Sequence, residues 1–264
     1  MANQNSQPVR KIEGQKTLLG RTMHAISYDE INDEFIVPQQ FAQAILTFRG
    51  AANGQEPPVR VIQGSKTRLT DPDRLGLNAV ANEIYVPQDN LLLVYDRRAN
   101  GDVAPIRVIE GKNTGLGASA VAGDPLNNLI IVAGGGGFGG GGGGGGGGTT
   151  FRIFNRTDNG DVAPKMMVSG PRSLGGPFAV YPKKKLILGT NRPTGEALTG
   201  PESYLGIWSY AEGGNNPPLW TIGGPNGIFQ MPRGVAIDEK NKSIIASDKR
   251  LNSVMTFYFP EMFN

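Results

Sequence analysis

The residues best suited to chemistry are few, and they recur at wide and nearly regular spacing. His24 is the only histidine in the chain, Asp73 follows it by 49 residues, and Ser119 follows Asp73 by 46. A neutral imidazole beside a carboxylate can act as a general base. If this spacing reflects a structural repeat, the three side chains converge. The sequence therefore predicts a polar ligand site with these members: Arg21, His24, Asp73, Arg74, Ser119 and Arg233.

The remaining composition restricts what such a site could do. The chain has no cysteine, which excludes thiol chemistry and disulfides. One histidine cannot form the cluster of histidine ligands that some metal sites require, and no carboxylate-rich set supplies the roughly six oxygen ligands of a Ca²⁺ site. We therefore expect no metal and no cofactor, and we assign no catalytic residue. The simpler interpretation, which we favour, is that His24 and Asp73 satisfy each other at strand ends.

A glycine-rich tract at 134–148 resembles a phosphate-binding loop only in composition. It holds 14 glycines and Phe138, with no lysine and no hydroxyl residue before Thr149. The GxxxxGK[ST] pattern that cradles phosphate is therefore missing. We expect a flexible loop insertion, or alternatively a polyglycine layer that packs against a partner. A second insertion is expected at 191–203.

The elements that position these residues form a repeat. The hexapeptide NGDVAP occurs at 100–105 and at 159–164, and it precedes related segments that share a proline, alternating apolar residues and a final glycine. These segments are PVRKIEG (8–14), PVRVIQG (58–64), PIRVIEG (105–111), PKMMVSG (164–170) and PLWTIGG (218–224). A period of about 47 residues indicates a propeller or a solenoid. NGDVAP is expected to be the turn before the outermost strand of each unit.

Each period contains three further short strands. In the second unit they are RLGLN (74–78), EIYVP (83–87) and LLLVYD (91–96), followed by PIRVIEG. With 39 glycines, 19 prolines and no amphipathic helical pattern, the chain is predicted to be all-β. One aromatic residue near the end of each third strand should pack between units: Phe48, Tyr95, Phe154, Trp208 and Phe257.

Four strands per unit predict a β-propeller blade. We expect residues 1–264 to form a single β-propeller domain with five four-stranded blades, and a six-bladed propeller is the alternative. The segment 8–14 should complete the last blade as its fourth strand, which would close the ring and cover the exposed sheet edges.

The repeats resemble NHL-repeat propellers. The motifs that carry the resemblance are GVAID (234–238), RLGLN, EIYV and the glycine that ends each fourth strand, and they extend over nearly the whole chain. Turns such as RRANGDVAPIRVIEG are similar to those of bacterial NHL-like proteins. The resemblance implies a propeller, commonly with six blades. NHL propellers include partner-binding domains, metal-dependent lyases and lactonases, so the resemblance implies no single function.

Charge is unevenly distributed over the predicted propeller. The loops on the face that carries the fourth-to-first and second-to-third connections hold 11 basic and 6 acidic residues, although the net charge of the whole chain is only +3. This basic face would attract an acidic partner, either a protein or an anionic polysaccharide. The candidate partner-binding residues are Lys66, Arg68, Lys112, Arg172, Arg192, Lys249 and Arg250. The loops lack aromatic residues that could stack on bases, so no nucleic acid is expected.

Three functions agree with the sequence. The favoured one is a non-enzymatic binding scaffold that uses the basic face. The alternatives are a hydrolase or lyase with its site at the mouth of the central channel, and a subunit of a larger assembly. No apolar run reaches the roughly 18 residues of a transmembrane helix. The compartment stays open between the cytoplasm and export with a removed signal peptide.

Overall fold

The computed structural model confirms an all-β propeller, and it describes residues 7–21, 23–135, 148–172, 174, 176–191, 203–224 and 226–264. These residues form 19 strands in five antiparallel sheets, with five 3-10 helices of three residues each. The helices are Gln15–Thr17, Ser65–Thr67, Lys112–Thr114, Pro182–Lys184 and Pro260–Met262. No helix in the described part of the chain is long and apolar enough to cross a bilayer.

Each sheet is one blade, and its strands follow one another in chain order. Blade 1 contains β1 (Ser27–Asp29), β2 (Glu34–Gln39), β3 (Ala44–Arg49) and β4 (Arg60–Gln63). Blade 2 contains β5 (Gly76–Asn78), β6 (Glu83–Gln88), β7 (Leu91–Asp96) and β8 (Arg107–Glu110). Blade 3 contains β9 (Ala118–Asp124), β10 (Leu129–Gly135), β11 (Thr149–Asn155) and β12 (Met166–Ser169). Blade 4 contains β13 (Ala179–Tyr181), β14 (Leu186–Asn191), β15 (Tyr204–Ser209) and β16 (Trp220–Gly223), and blade 5 contains β17 (Pro232–Asp238), β18 (Ser243–Asp248) and β19 (Ser253–Tyr258).

The blades pack side by side around a common axis. Their first strands contact one another in order, β1 with β5, β5 with β9, β9 with β13, and β13 with β17. A cluster of buried apolar side chains fills each interface between consecutive blades from 1 to 5. Four of the predicted aromatic residues lie in these clusters: Tyr95 and Phe154 are fully buried, Trp208 is 2% exposed, and Phe257 is partly buried. Phe48 is fully buried in a separate cluster of blade 1, against which Ile12, Leu19 and Met23 pack.

The hexapeptide NGDVAP forms the predicted turn before the fourth strand, and it also joins adjacent blades. Asn100 Oδ1 accepts a hydrogen bond from the Val61 amide (2.9 Å), the Gly101 amide donates to the Val61 carbonyl (2.6 Å), and Asp102 Oδ1 accepts from the Lys66 amide (2.7 Å). The second copy repeats all three bonds with Asn159, Gly160, Asp161, Val108 and Asn113. Each turn therefore fastens its blade to the outer strand of the preceding one.

The N-terminal segment 8–14 takes the place of a fourth strand, but without the expected ladder. Ile12 forms a parallel bridge with Gly54 of blade 1, as Ile62 does with Gly101 of blade 2. The sheet of blade 5 has three strands, and none of the described ladders pairs the segment with β19. The segment therefore contacts blade 1, and the expected pairing with the third strand of blade 5 is not among the ladders of the described residues.

The two predicted insertions fall mostly on residues outside the described part of the chain. β10 extends to Gly135 and β11 begins at Thr149, so the glycine-rich loop at 134–148 is described only at its ends. Of the second insertion, Asn191 ends β14 and Ser203 precedes β15. The flexible-loop interpretation stays a prediction.

Candidate functional site

A loop of the same form occurs three times. It leads from segment 8–14 to β1, from β4 to β5, and from β8 to β9. In its three copies a buried threonine donates from Oγ1 to a glycine carbonyl three residues earlier, at 2.6, 2.7 and 2.8 Å. The same Oγ1 accepts from the amide two residues later, at 3.2 Å in each copy. The threonines are Thr17, Thr67 and Thr114, all fully buried. These bonds order the backbone that leads into the first strand of each of these blades. The motif G-x-x-T-x-L marks the three loops in the sequence, although no loop was predicted from it.

Gln88 holds one of these loops from the side. Its Oε1 accepts from the Thr70 amide (2.7 Å), from Thr70 Oγ1 (3.1 Å) and from the Asp71 amide (3.0 Å). Its Nε2 donates to the Arg68 carbonyl (3.0 Å), and the residue is only 7% exposed. A single side chain from the end of β6 therefore orders the backbone just before Asp73.

The structure brings four of the six predicted ligand-site residues into one chain of contacts. His24 is hydrogen-bonded through Nδ1 to Asp73 Oδ1. Arg74 lies with Nε 3.6 Å from Asp73 Oδ2, and its Nη1 donates to the Ser119 carbonyl at 3.0 Å. Ser119 Oγ donates to the Ala133 carbonyl at 3.2 Å. These residues precede or begin the first strands of blades 1, 2 and 3, as the repeat predicts.

The hydrogen bond between His24 and Asp73 has one donor and one acceptor. When Asp73 is ionised, its carboxylate can only accept, so Nδ1 of His24 is then the donor. In the neutral imidazole, Nε2 is then left as the acceptor that could take a proton from a substrate. The side chains of His24 and Asp73 are 38% and 35% exposed, so water screens their interaction. The pair could bind a polar group of a ligand. Its hydrogen bond also agrees with the simpler interpretation, in which His24 and Asp73 only satisfy each other's hydrogen-bonding groups.

The other two predicted members occupy different surroundings. Arg233 lies in β17, where its carbonyl accepts from Thr190 Oγ1 of blade 4 at 3.5 Å. Arg21 is exposed and lies three residues before His24. Their membership in the ligand site stays a prediction.

A small cleft of about 160 Å³ lies beside the Asp73–Arg74 pair. Its lining consists of Thr70, Asp71, Asp73, Arg74, Pro87, Gln88, Asp89, Ala118 and Ser119. The volume is below the roughly 300–1,000 Å³ of ligand pockets. Within the described residues, no group of three His, Asp or Glu side chains is placed to hold a metal ion. The cleft suits a small polar group rather than a large substrate.

The described members of the predicted basic set lie on the end of the propeller that carries the fourth-to-first and second-to-third connections. Lys66, Lys112, Arg172, Lys249 and Arg250 are exposed there. Arg192 belongs to the residues that the structure does not describe.

Arg68, a further member of the basic set, is paired with an acidic side chain. It donates to both carboxylate oxygens of Glu110, at 3.2 and 2.7 Å. The hydrogen bonds of this pair raise the pKa of Arg68 and lower the pKa of Glu110. The charge of Arg68 is therefore locally compensated by Glu110.

Neither a known protein family nor a curated protein matches this sequence. Its fold is similar to that of a Kuenenia stuttgartiensis hydrazine synthase chain, with a TM-score of 0.58 and 12% sequence identity. The similarity covers 93% of this chain and 58% of that one. The chain therefore spans little more than half the length of that hydrazine synthase chain. At this identity the likeness shows the β-propeller fold alone.

Proposed function

We propose that this protein is a non-enzymatic binding scaffold whose basic loop face holds an acidic partner, an anionic polysaccharide or an acidic protein surface. The proposal rests on the exposed cations Lys66, Lys112, Lys249 and Arg250 at one end of the propeller. The loops that carry the first two are ordered by internal hydrogen bonds, since Lys66 and Asn113 each donate an amide hydrogen to an aspartate of the next blade. Charges on ordered loops lose little conformational entropy when a partner binds.

Retention on a sulfated polysaccharide matrix tests this function. The basic-face variant carries Lys66→Gln, Lys112→Gln, Lys249→Gln and Arg250→Gln. The matched control removes the same charge from the opposite end of the propeller: Arg98→Gln, Lys184→Gln, Lys240→Gln and Lys242→Gln. The cations of both sets are exposed.

The natural chain and the control should elute together at higher salt, and the basic-face variant should elute earlier. Attraction between exposed charges decays over a Debye length of about 8 Å at physiological salt, so retention should weaken as salt rises. Equal losses of retention in the two variants would show that retention depends only on net charge. Retention of the basic-face variant at the salt of the natural chain would contradict the proposal. A parallel column of immobilised acidic protein separates the two kinds of partner.

The resemblance to NHL repeats belongs to the same proposal. We propose that the chain is an NHL-type propeller, supported by EIYV in β6 and GVAID in β17, which occupy the second and first strands of their blades. In such propellers the loop face is a frequent site of partner binding, and that agrees with the scaffold function.

A hydrolase or lyase with its site at the channel mouth is the second candidate. The hydrogen bond between His24 and Asp73 supports it, because it leaves His24 Nε2 available as a base. Hydrolysis of simple lactones and esters by the purified chain, abolished by His24→Gln, would favour the enzyme. The absence of turnover by the natural chain would leave the scaffold as the better account.

A further inference from the structure

Blade 5 differs from the other four blades at its outer edge. In blades 1 to 4 the third strand pairs on both sides, so that β3, β7, β11 and β15 each lie between two strands. In blade 5 the third strand β19 pairs with β18, and the sheet ends there in the described part of the chain. A sheet edge with unpaired amides and carbonyls is a template for another strand.

The face of blade 5 that points away from blade 4 is also uncovered. The residue three positions before the inter-blade aromatic is an apolar contact to the next blade in blades 1 to 4, where it is 0% exposed. These residues are Ile45, Leu92, Phe151 and Leu205. The equivalent residue of blade 5, Val254, is 72% exposed, and Tyr258 on the same side of β19 is also 72% exposed. At this position of blade 5, no neighbouring blade covers the side chain in the described part of the chain.

The complementary element lies at the opposite end of the blade series. Segment 8–14 is bound to blade 1 by the same bonds that fasten β4 to blade 2. Asn53 Oδ1 accepts from the Lys11 amide (3.0 Å), and the Gly54 amide donates to the Lys11 carbonyl (2.7 Å). The segment therefore lies in the position of a fourth strand from a preceding blade, and Ile12 packs on the buried cluster of blade 1.

We propose that a second copy of this chain docks on blade 5 and supplies the missing strand. Segment 8–14 of one molecule pairs with β19 of the other, and blade 1 of the first molecule covers Val254 of the second. The segment belongs to a second copy because within one molecule it is held on blade 1 while Val254 and Tyr258 stay exposed. The two surfaces differ, so the contact is heterologous and either closes into a ring of copies or continues.

The register of this pairing follows from the other blades. Thr47 lies opposite Arg60 in blade 1, and Val94 lies opposite Arg107 in blade 2. The equivalent residues are Thr256 of β19 and Arg10 of the segment, both exposed. Residues opposite each other in an antiparallel ladder have Cα atoms about 4.5–5.5 Å apart, within the range of a disulfide.

Cross-linking tests the partner and the register together. The natural chain has no cysteine, so Thr256→Cys and Arg10→Cys introduce the only thiols. A mixture of the two single variants should give a disulfide-linked dimer on mild oxidation, while each variant alone should give far less. The variant with both substitutions reports on pairing within one molecule. An intramolecular bond there, with no dimer in the mixture, would overturn the proposal, and so would the absence of any cross-link.

The oligomeric state gives the second measurement. Sedimentation of the natural chain should show association that rises with concentration, and Val254→Glu should shift it to the monomer. Val254 is exposed, so this change should leave the fold of each copy intact, as circular dichroism would verify. Val80→Glu is the matched control, because Val80 is 66% exposed and lies on the turn between β5 and β6. A monomeric natural chain, or equal effects of the two variants, would contradict docking on blade 5.

Discussion

Arg97 offers the sharpest test of how the blades are held together. Its guanidinium comes from the end of β7 in blade 2 and reaches two carboxylates of blade 1. Nε lies 3.2 Å from Asp29 Oδ2, and Nη1 pairs with Glu34. The side chains of Arg97, Asp29 and Glu34 are 7%, 0% and 15% exposed. Arg97→Ala therefore removes the cation and leaves two carboxylates in poorly hydrated surroundings.

The expected loss follows from what each carboxylate retains. Removing one partner of a buried ion pair typically costs about 3–5 kcal/mol, because the remaining charge is uncompensated. Asp29 keeps hydrogen bonds from the Ile31 and Asn32 amides and from Asn32 Nδ2, and Glu34 keeps its contact with Arg60. We therefore expect the lower end of that range, about 3 kcal/mol in the free energy of unfolding.

Denaturant titration followed by circular dichroism and fluorescence measures this loss, and the next residue supplies the control. Arg98 pairs with Asp96 on the surface, where its side chain is 67% exposed. Arg98→Ala should leave the denaturation midpoint within experimental error. Comparable losses for Arg97→Ala and Arg98→Ala, or no loss for either, would refute the inference that the buried cation joins blades 1 and 2.

Two further predictions concern stability. Thr67→Val keeps the shape of a buried side chain but leaves the Leu69 amide without its acceptor, and it removes one of the two donors to the Gly64 carbonyl, which keeps the Thr67 amide. It should lower the free energy of unfolding by about 1–3 kcal/mol. Ser65→Ala on the same loop should cost much less, and the opposite order in denaturant titration would contradict the role of the threonine. Burial raises the pKa of the Tyr85, Tyr95 and Tyr210 phenols above their ordinary value of 10. The folded state favours the neutral phenol, so the contribution of these three groups to stability should be fully present below about pH 10 and be lost as the pH rises beyond it. A denaturation midpoint that rises above that pH would contradict it.

The sequence predicted most of what depends on the repeat. LLLVYD (91–96) coincides with β7, and the aromatic residues in the third strands of blades 2 to 5 lie in the clusters between blades. The contact between His24 and Asp73 also followed from alignment of the units. Local periodicity and fixed spacing suffice for such features, because each blade repeats the same geometry.

The sequence did not predict contacts that depend on particular side chains reaching distant backbone. Gln88 binds the amides of Thr70 and Asp71, and every residue except proline has a backbone amide hydrogen, so no residue type marks the partner. Asp248 does the same in blade 5 for the amides of Gln230 and Met231, at 2.8 Å each. The sequence also did not predict that segment 8–14 bonds to blade 1 and, within the described residues, not to β19. The segment has the sequence of a fourth strand, but its partner depends on how blades 1 and 5 meet.

The turns that contain NGDVAP connect the blades in one direction along the chain. Each fastens the outer strand of the blade before it, so a blade is completed only by residues that come later in the chain. During synthesis on the ribosome, the outer strand of a newly made blade would lack these hydrogen bonds until the turn of the following blade has been synthesised. β16 is the outer strand that no such turn covers in the described residues, and Trp220 in it is 36% exposed. Local opening that propagates from blade to blade would therefore begin there, and amide hydrogens of β16 should exchange with solvent before those of β4, β8 and β12.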